Sequence, residues 1–285
     1  MIKTWFKRVL MSLLLLTGSA AAGSLLAQSL FKQSVKAEVE ELYSTVEMNG
    51  DIVSEEQIEG LPESVQRWFK RSGIIGKEKV MSVRLKQRAE MRLEPGGQWM
   101  PVEAEQYFVS EEPGFIWNAR IKAAPFIHIA GRDKYLGGRG SMLIKPLSLF
   151  ALTDSKGKEI DQGTLLRYLA ETMWFPSALL NPYIEWESLD DKMARAHMTY
   201  KGVSASGDFT INEMGEVTRF EAERYGDFDG EFRMETWAIP VSEYKVFQGI
   251  KVPTRGEVTW KLAEGDFNWF NFEVTEIEYN VPVVY

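Results

Sequence analysis

From Val83 to Glu94 the side chains alternate in character, one residue at a time. Val83, Leu85, Ala89, Met91 and Leu93 are apolar; Arg84, Lys86, Arg88, Glu90, Arg92 and Glu94 are charged. A strand sends successive side chains to opposite faces, so this run predicts a strand with one buried and one wet face. Pro95-Gly96-Gly97 then supplies a turn. Similar runs follow at 100–110 and 114–122, where Phe115, Trp117, Ala119 and Ile121 share a side. Further strands are expected at 133–137, 140–144, 194–201, 203–212, 216–225, 231–238, 243–247, 252–262 and 270–279, several joined by short glycine turns.

A helical period appears in three places. Val35, Val39, Leu42 and Val46 lie at spacings of three and four, which predicts a helix over 33–46. Pro62, Val65, Trp68, Phe69 and Gly73 predict a short helix over 62–72. Between the strands, Leu165, Leu166, Leu169 and Met173 line one side of a central helix. Asp161 is its expected N-cap, and Pro176 bends or ends it. The fold class is therefore mainly β, with α+β character. About ten or more antiparallel strands must curve or close to protect their edges. We expect a strongly curved sheet or open half-barrel, covered by the central helix, with helices at the N-terminus.

The N-terminal segment sets the expected cellular address. Lys3, Lys7 and Arg8 precede an apolar run, Val9–Phe31, that contains Ala20-Ala21-Ala22. About 23 residues suffice to cross a bilayer core, and the A-x-A pattern suits a signal peptidase. Residues 1–31 are thus read as a signal peptide or a single-pass anchor, 32–60 as a helix and linker, and 61–285 as one β-rich extracytoplasmic domain. Positive charge before the run places the domain outside the inner membrane, in the cell envelope.

Charge and composition exclude several functions. The chain carries −8 overall, and its first 31 residues hold three basic and no acidic side chains, so the remainder is more acidic still. An acidic domain repels phosphate backbones, and nucleic acid is not an expected partner. Cysteine is absent, which removes disulfides, thiol catalysis, thiolate metal sites and lipidation at cysteine. The two histidines, His128 and His197, have no metal-binding companion motif. No nucleophile elbow or phosphate loop is present. No cofactor or metal is expected.

Several word-like runs resemble a bacterial domain-of-unknown-function family. They include Trp99-Met100-Pro101, Ala104-Glu105-Gln106-Tyr107-Phe108 and Gly138-Arg139-Gly140. The longest runs from Asp161-Gln162-Gly163 through Leu165-Leu166-Arg167-Tyr168-Leu169-Ala170-Glu171 and Trp174-Phe175-Pro176 to Ala178-Leu179-Leu180. Val252-Pro253-Thr254-Arg255-Gly256-Glu257-Val258 with Trp260 closes the set. The resemblance covers nearly all of the chain after residue 60 and brings no activity with it. More loosely, the chain is similar to the LolA/LolB lipoprotein carriers, whose fold implies a curved antiparallel sheet over an apolar cavity.

Seven residues are candidates to touch a lipid or other hydrophobic small molecule: Trp117, Arg167, Glu171, Trp174, Phe175, Arg224 and Trp237. Arg167 and Glu171 lie four apart on one helix face, which also suits a plain ion pair. Arg224 shares strand parity with Phe220 and Ala222, so an arginine falls on an apolar face and calls for a carboxylate such as Glu171 or Glu105. The tryptophans suit a cavity wall and an ordinary core alike. The leading function is a binding module for an apolar ligand, attached to the membrane through the N-terminal segment. The alternatives are an envelope enzyme using Arg and carboxylate groups, or a structural or assembly protein.

Overall fold

The computed structural model describes residues 2–285, with side chains from Gly23 onward. Thirteen antiparallel strands form one open sheet in the order β6-β5-β4-β3-β2-β1-β13-β12-β11-β10-β9-β8-β7. The first six are β1 (Ser82–Met91), β2 (Met100–Val109), β3 (Gly114–Ala124), β4 (Ile127–Leu136), β5 (Arg139–Pro146) and β6 (Thr153–Ser155). The rest are β7 (Ile184–Ser188), β8 (Met193–Tyr200), β9 (Val203–Ile211), β10 (Val217–Phe228), β11 (Glu231–Phe247), β12 (Ile250–Leu262) and β13 (Gly265–Tyr279). The chain starts in the middle of the sheet, walks outward to β6, then restarts at the opposite edge and walks back until β13 pairs with β1.

That path leaves one long connection, and it dictates where the central helix lies. α3 (Lys158–Glu171) leaves the β6 edge, and two 3-10 turns, Thr172–Trp174 and Pro176–Leu180, lead on to the β7 edge. The helix contacts β4 and β5 on one arm and β9 and β10 on the other. A sheet whose two arms both touch one helix is strongly curved around it, as the alternation predicts. Leu165, Leu166, Tyr168, Leu169 and Ala170 of α3 are fully buried there.

Two details hold α3 down. Gly140 of β5 passes so close beneath it that a Cβ would lie 2.3 Å from Thr164 Oγ1 and 2.5 Å from the Ile160 carbonyl. Asp161 accepts a hydrogen bond from the Gly140 N–H at 2.7 Å and one from Arg139 at 3.0 Å. The expected N-cap role of Asp161 is thereby corrected. The helix begins one turn earlier, after Gly157, and the carboxylate faces the sheet rather than its own helix end.

The convex face is covered too, at β2–β4. α1 (Ile2–Tyr43) is a single helix, and Phe31, Val35, Val39 and Leu42 bury against Tyr107, Val109, Ile116 and Ala130. Glu38 of α1 pairs with Arg132 and Lys134 at 3.1 and 2.9 Å. Tyr107, whose parity places it with Glu103 and Glu105 on a wet face, is buried here by α1 and the C-terminal Tyr285. α2 (Glu63–Ser72) packs Trp68 and Phe69 into the main core, and Val53 and Ile58 of the preceding segment join them. Among the residues whose side chains are described, no helix is long and apolar enough to cross a membrane. Residues 9–22 of the apolar N-terminal run lie outside that set.

Candidate functional site

Between α3 and the concave sheet lies a cavity of about 220 Å³. Its walls are mostly apolar: Met91, Ile121, Met142, Ile144, Ala170, Met173, Ile239, Val258 and a set of aromatic rings. The volume exceeds the ~150 Å³ of a site that takes one benzene ring, and falls short of the ~300–1,000 Å³ of drug-sized sites. It suits one chain or one ring system, not a molecule with several long chains.

Six of the seven candidates border this one cavity: Trp117, Arg167, Glu171, Trp174, Arg224 and Trp237. They come from β3, α3, the turn after α3, β10 and β11. The seventh, Phe175, does not. It is fully buried behind the wall, 4.9 Å from the Phe108 ring, because it is the non-helical link between the two 3-10 turns, with φ −144° and ψ 70°, and its side chain leaves in another direction from that of Trp174. Sequence reading missed Asp133, Gln87, Trp269, Phe270 and Phe272, which also line it. Asp133 had a signal: it shares parity on β4 with Gly131 and Tyr135, so a carboxylate falls on the concave face.

The polar groups form two sets of different character. Arg167 is paired with two acids. Its Nε donates to Glu171 at 2.9 Å and its Nη1 to Asp133 at 2.6 Å, while the Phe115 and Trp117 rings lie 5.1 and 4.9 Å from its carbon. Glu171 accepts a second bond from Gln106 at 2.7 Å. Burial alone lowers the Arg167 pKa, but the two carboxylates outweigh it and hold the guanidinium above its ordinary value. For Glu171 the balance reverses: burial raises its pKa despite Arg167. Trp117 donates to Gln87 at 3.0 Å and Trp174 to the Pro253 carbonyl at 3.1 Å, so both rings are locked in place.

Arg224 is the opposite case. Its Nε reaches only the Gly163 carbonyl, at 3.2 Å. Its faces meet the Trp237 and Trp260 rings at 4.8 and 5.6 Å. Among the described residues it forms no ion pair, and burial together with the nearby Arg167 pushes its pKa down to about 10. The expected carboxylate partner is corrected on both counts. Glu171 is committed to Arg167 and Gln106, and Glu105 lies on the convex face beside Tyr107. Glu221 pairs with Arg219 on the outer face of β10. Glu105, Glu171 and Glu221 therefore share no cleft. Among the described residues no group of three His, Asp or Glu side chains is placed to hold a metal.

The chain's own pattern has relatives. Residues 51–272 match the profile of a family of unknown function, DUF6544. The chain belongs to that family. The match spans most of the chain and includes every residue of the cavity wall named above. No curated protein matches it in sequence. Three solved structures are similar to this member of the family. A DUF1329 family protein from Desulfovibrio piger shares 10% identity at a TM-score of 0.43, covering 78% of this chain and 92% of that one. A putative outer membrane lipoprotein-sorting protein domain from Vibrio parahaemolyticus shares 9% at 0.38, covering 78% and 93%. A LolA superfamily protein from Nitrosomonas europaea shares 11% at 0.39, covering 75% and 92%. Likenesses this distant carry no functional weight; the cavity of this chain does.

Proposed function

We propose that this DUF6544 member is a binding module that holds one apolar chain or ring in the cavity beneath α3. One observation carries the reading: a 220 Å³ space walled mostly by Met, Ile and Trp side chains lies beneath α3, whereas the larger 550 Å³ groove between α1 and the convex face is lined largely by charged and polar groups. Protein interiors close such spaces when they have no use for them, because each void forfeits dispersion contacts. Two of the rings at its wall, Trp117 and Trp174, are fixed by hydrogen bonds to Gln87 and to the Pro253 carbonyl. Native mass spectrometry of protein purified without detergent, before and after exposure to an apolar fluorescent probe, tests this. The wild type takes up one probe per chain. Ile239→Trp, which fills the wall from β11, takes up none. Equal uptake by both proteins, or none by either, refutes the reading.

A separate feature supports a place at a membrane surface. Leu25, Leu26 and Leu30 of α1 are exposed, as are Phe126, Ile127, Leu149, Phe150 and Leu152. These belong to one end of the molecule. Ser24 donates to the Leu147 carbonyl at 3.2 Å, and the β3–β4 hairpin tip adjoins the β5–β6 connection through the Leu147–His128 backbone bond. An apolar cluster this size needs a nonaqueous neighbour. It lies beside the part of α1 that continues into the apolar N-terminal run, so the occupant is the bilayer that this run enters. The domain then rests on the outer side of the inner membrane, held or delivered there by residues 1–31. The chain has no cysteine, so Phe126→Cys and Phe232→Cys each give one clean labelling site. On vesicles of phosphatidylethanolamine and phosphatidylglycerol, an environment-sensitive dye at 126 shifts to shorter wavelength and one at 232 does not. Identical spectra at the two positions overturn the placement.

A further inference from the structure

We propose that Arg224 receives the acidic head of the cavity's ligand, and that this ligand is an amphiphile bearing a carboxylate or a phosphate ester. The inference rests on the cavity reading above and adds the chemical class of what is bound. A guanidinium carries five N–H donors in a planar fork. In Arg224 one is used, on Gly163; among the described residues no carboxylate forms an ion pair with it, although Asp133 and Glu171 lie near enough to attract it. Arg224 is half-buried at the cavity wall, and a guanidinium left there without a bonded carboxylate is costly to desolvate. The same cavity shows that the chain can pair an arginine when it needs to, since Arg167 has two acids within 3 Å.

A second, independent observation points the same way. The indole Nε1–H groups of Trp237 and Trp269 are buried with no acceptor, and both rings line the cavity. Tryptophan nitrogen only donates. The wall therefore carries donors without acceptors, although these two nitrogens have almost no accessible surface. An anion of the oxyacid class supplies two or more acceptor oxygens and a negative charge together, and it matches the guanidinium fork in two-point geometry. The stacked Trp237 and Trp260 rings hold that fork in a set orientation. The two carboxylates that line the cavity, Asp133 and Glu171, are both bonded to Arg167, and Gln106 takes the other oxygen of Glu171. The apolar remainder of the cavity takes the ligand's tail.

Three probes of equal tail length separate the possibilities: decanoate, decyl phosphate and decanol. Each is titrated at pH 7 below its micelle concentration, against the wild type, Arg224→Gln and Arg224→Lys. A charge-assisted bond at a buried site predicts that one or both anions bind the wild type about tenfold or more tighter than decanol. Whichever anion binds tighter identifies the head group. Arg224→Gln loses that gap while keeping its decanol affinity, and Arg224→Lys keeps part of it. If the wild type binds decanol as tightly as both anions, the head-group assignment falls and the cavity reading stands. If no probe binds and the apolar dye is also excluded, the cavity reading itself fails. The wild-type series decides the question even where a variant does not fold.

Discussion

Arg224→Met is predicted to stabilise the empty protein. Burial and repulsion from Arg167 take the Arg224 pKa from 12.5 to about 10. At 1.36 kcal/mol per pH unit, that fall corresponds to a penalty of about 3 kcal/mol on the charged form in the folded state. The sign follows from a depressed pKa on a cation. At pH 7 the group is charged in both folded and unfolded chains, so the penalty is present in full, and it is relieved only as pH rises through about 10. Methionine has similar reach, no charge, and fits irregular apolar spaces. Against the gain stands the loss of cation–π contact with Trp237 and Trp260, worth about 1–2 kcal/mol together. The Gly163 carbonyl loses one donor but keeps its place in the helix. The net is about 1–2 kcal/mol in favour of the methionine variant, or a rise of roughly 2–5 °C in Tm for a chain of this size. Urea unfolding and thermal melts of ligand-free protein at pH 7 measure it. A loss of about 1 kcal/mol or more makes Arg224 a structural cation and refutes the argument that it waits for an anion.

The neighbouring ion pair predicts the reverse. Arg167→Met leaves Asp133 and Glu171 buried beside each other without their cation, and a loss of about 3–5 kcal/mol is expected in urea unfolding; adding Glu171→Gln recovers part of it, and a cycle with no recovery contradicts the coupling. Glu171 has a raised pKa from burial, so above the ordinary value of 4.5 the folded state holds its proton longer than the unfolded chain does. Stability then falls as pH rises from 4.5 through the raised value, and Glu171→Gln removes that slope; unfolding free energies with the same pH slope in both proteins count against it. Gly140→Ala forces a methyl against Thr164 and the Ile160 carbonyl, and a cost of about 1–3 kcal/mol is expected from overpacking, read as a fall in Tm.

How much of this was legible beforehand differs by feature. The alternation in 83–94 gave β1, and the glycine turns gave most hairpins, because both are local signals. β11 reads in sequence as two strands, 231–238 and 243–247, since Pro240 cannot donate to a ladder; the structure runs one strand through it, as neighbours on both sides carry the pairing. β6, of three residues, is too short to show a period, whereas β7 alternates Ile184 and Trp186 with Glu185 and Glu187 over a run short enough to pass for a loop. Parity placed Arg224 on the concave face correctly, yet said nothing of its missing partner. Pairing depends on which strands the turns bring opposite one another, and Glu105 and Glu171 were equal candidates until the two faces were known. Phe175 shows the same limit: next to Trp174 in sequence, it is turned away from the cavity by the non-helical backbone between the two 3-10 turns.

By itself the sequence determined the strand-rich class, the curved sheet and the central helix, because side-chain period and turn chemistry act over a few residues. Tertiary structure alone decided that α3 spans the two arms of the sheet and that six candidates surround one cavity. It also decided that one arginine there has two acids and the other none. Those are relations between residues far apart in the chain, set by its path through space, and no local pattern encodes them.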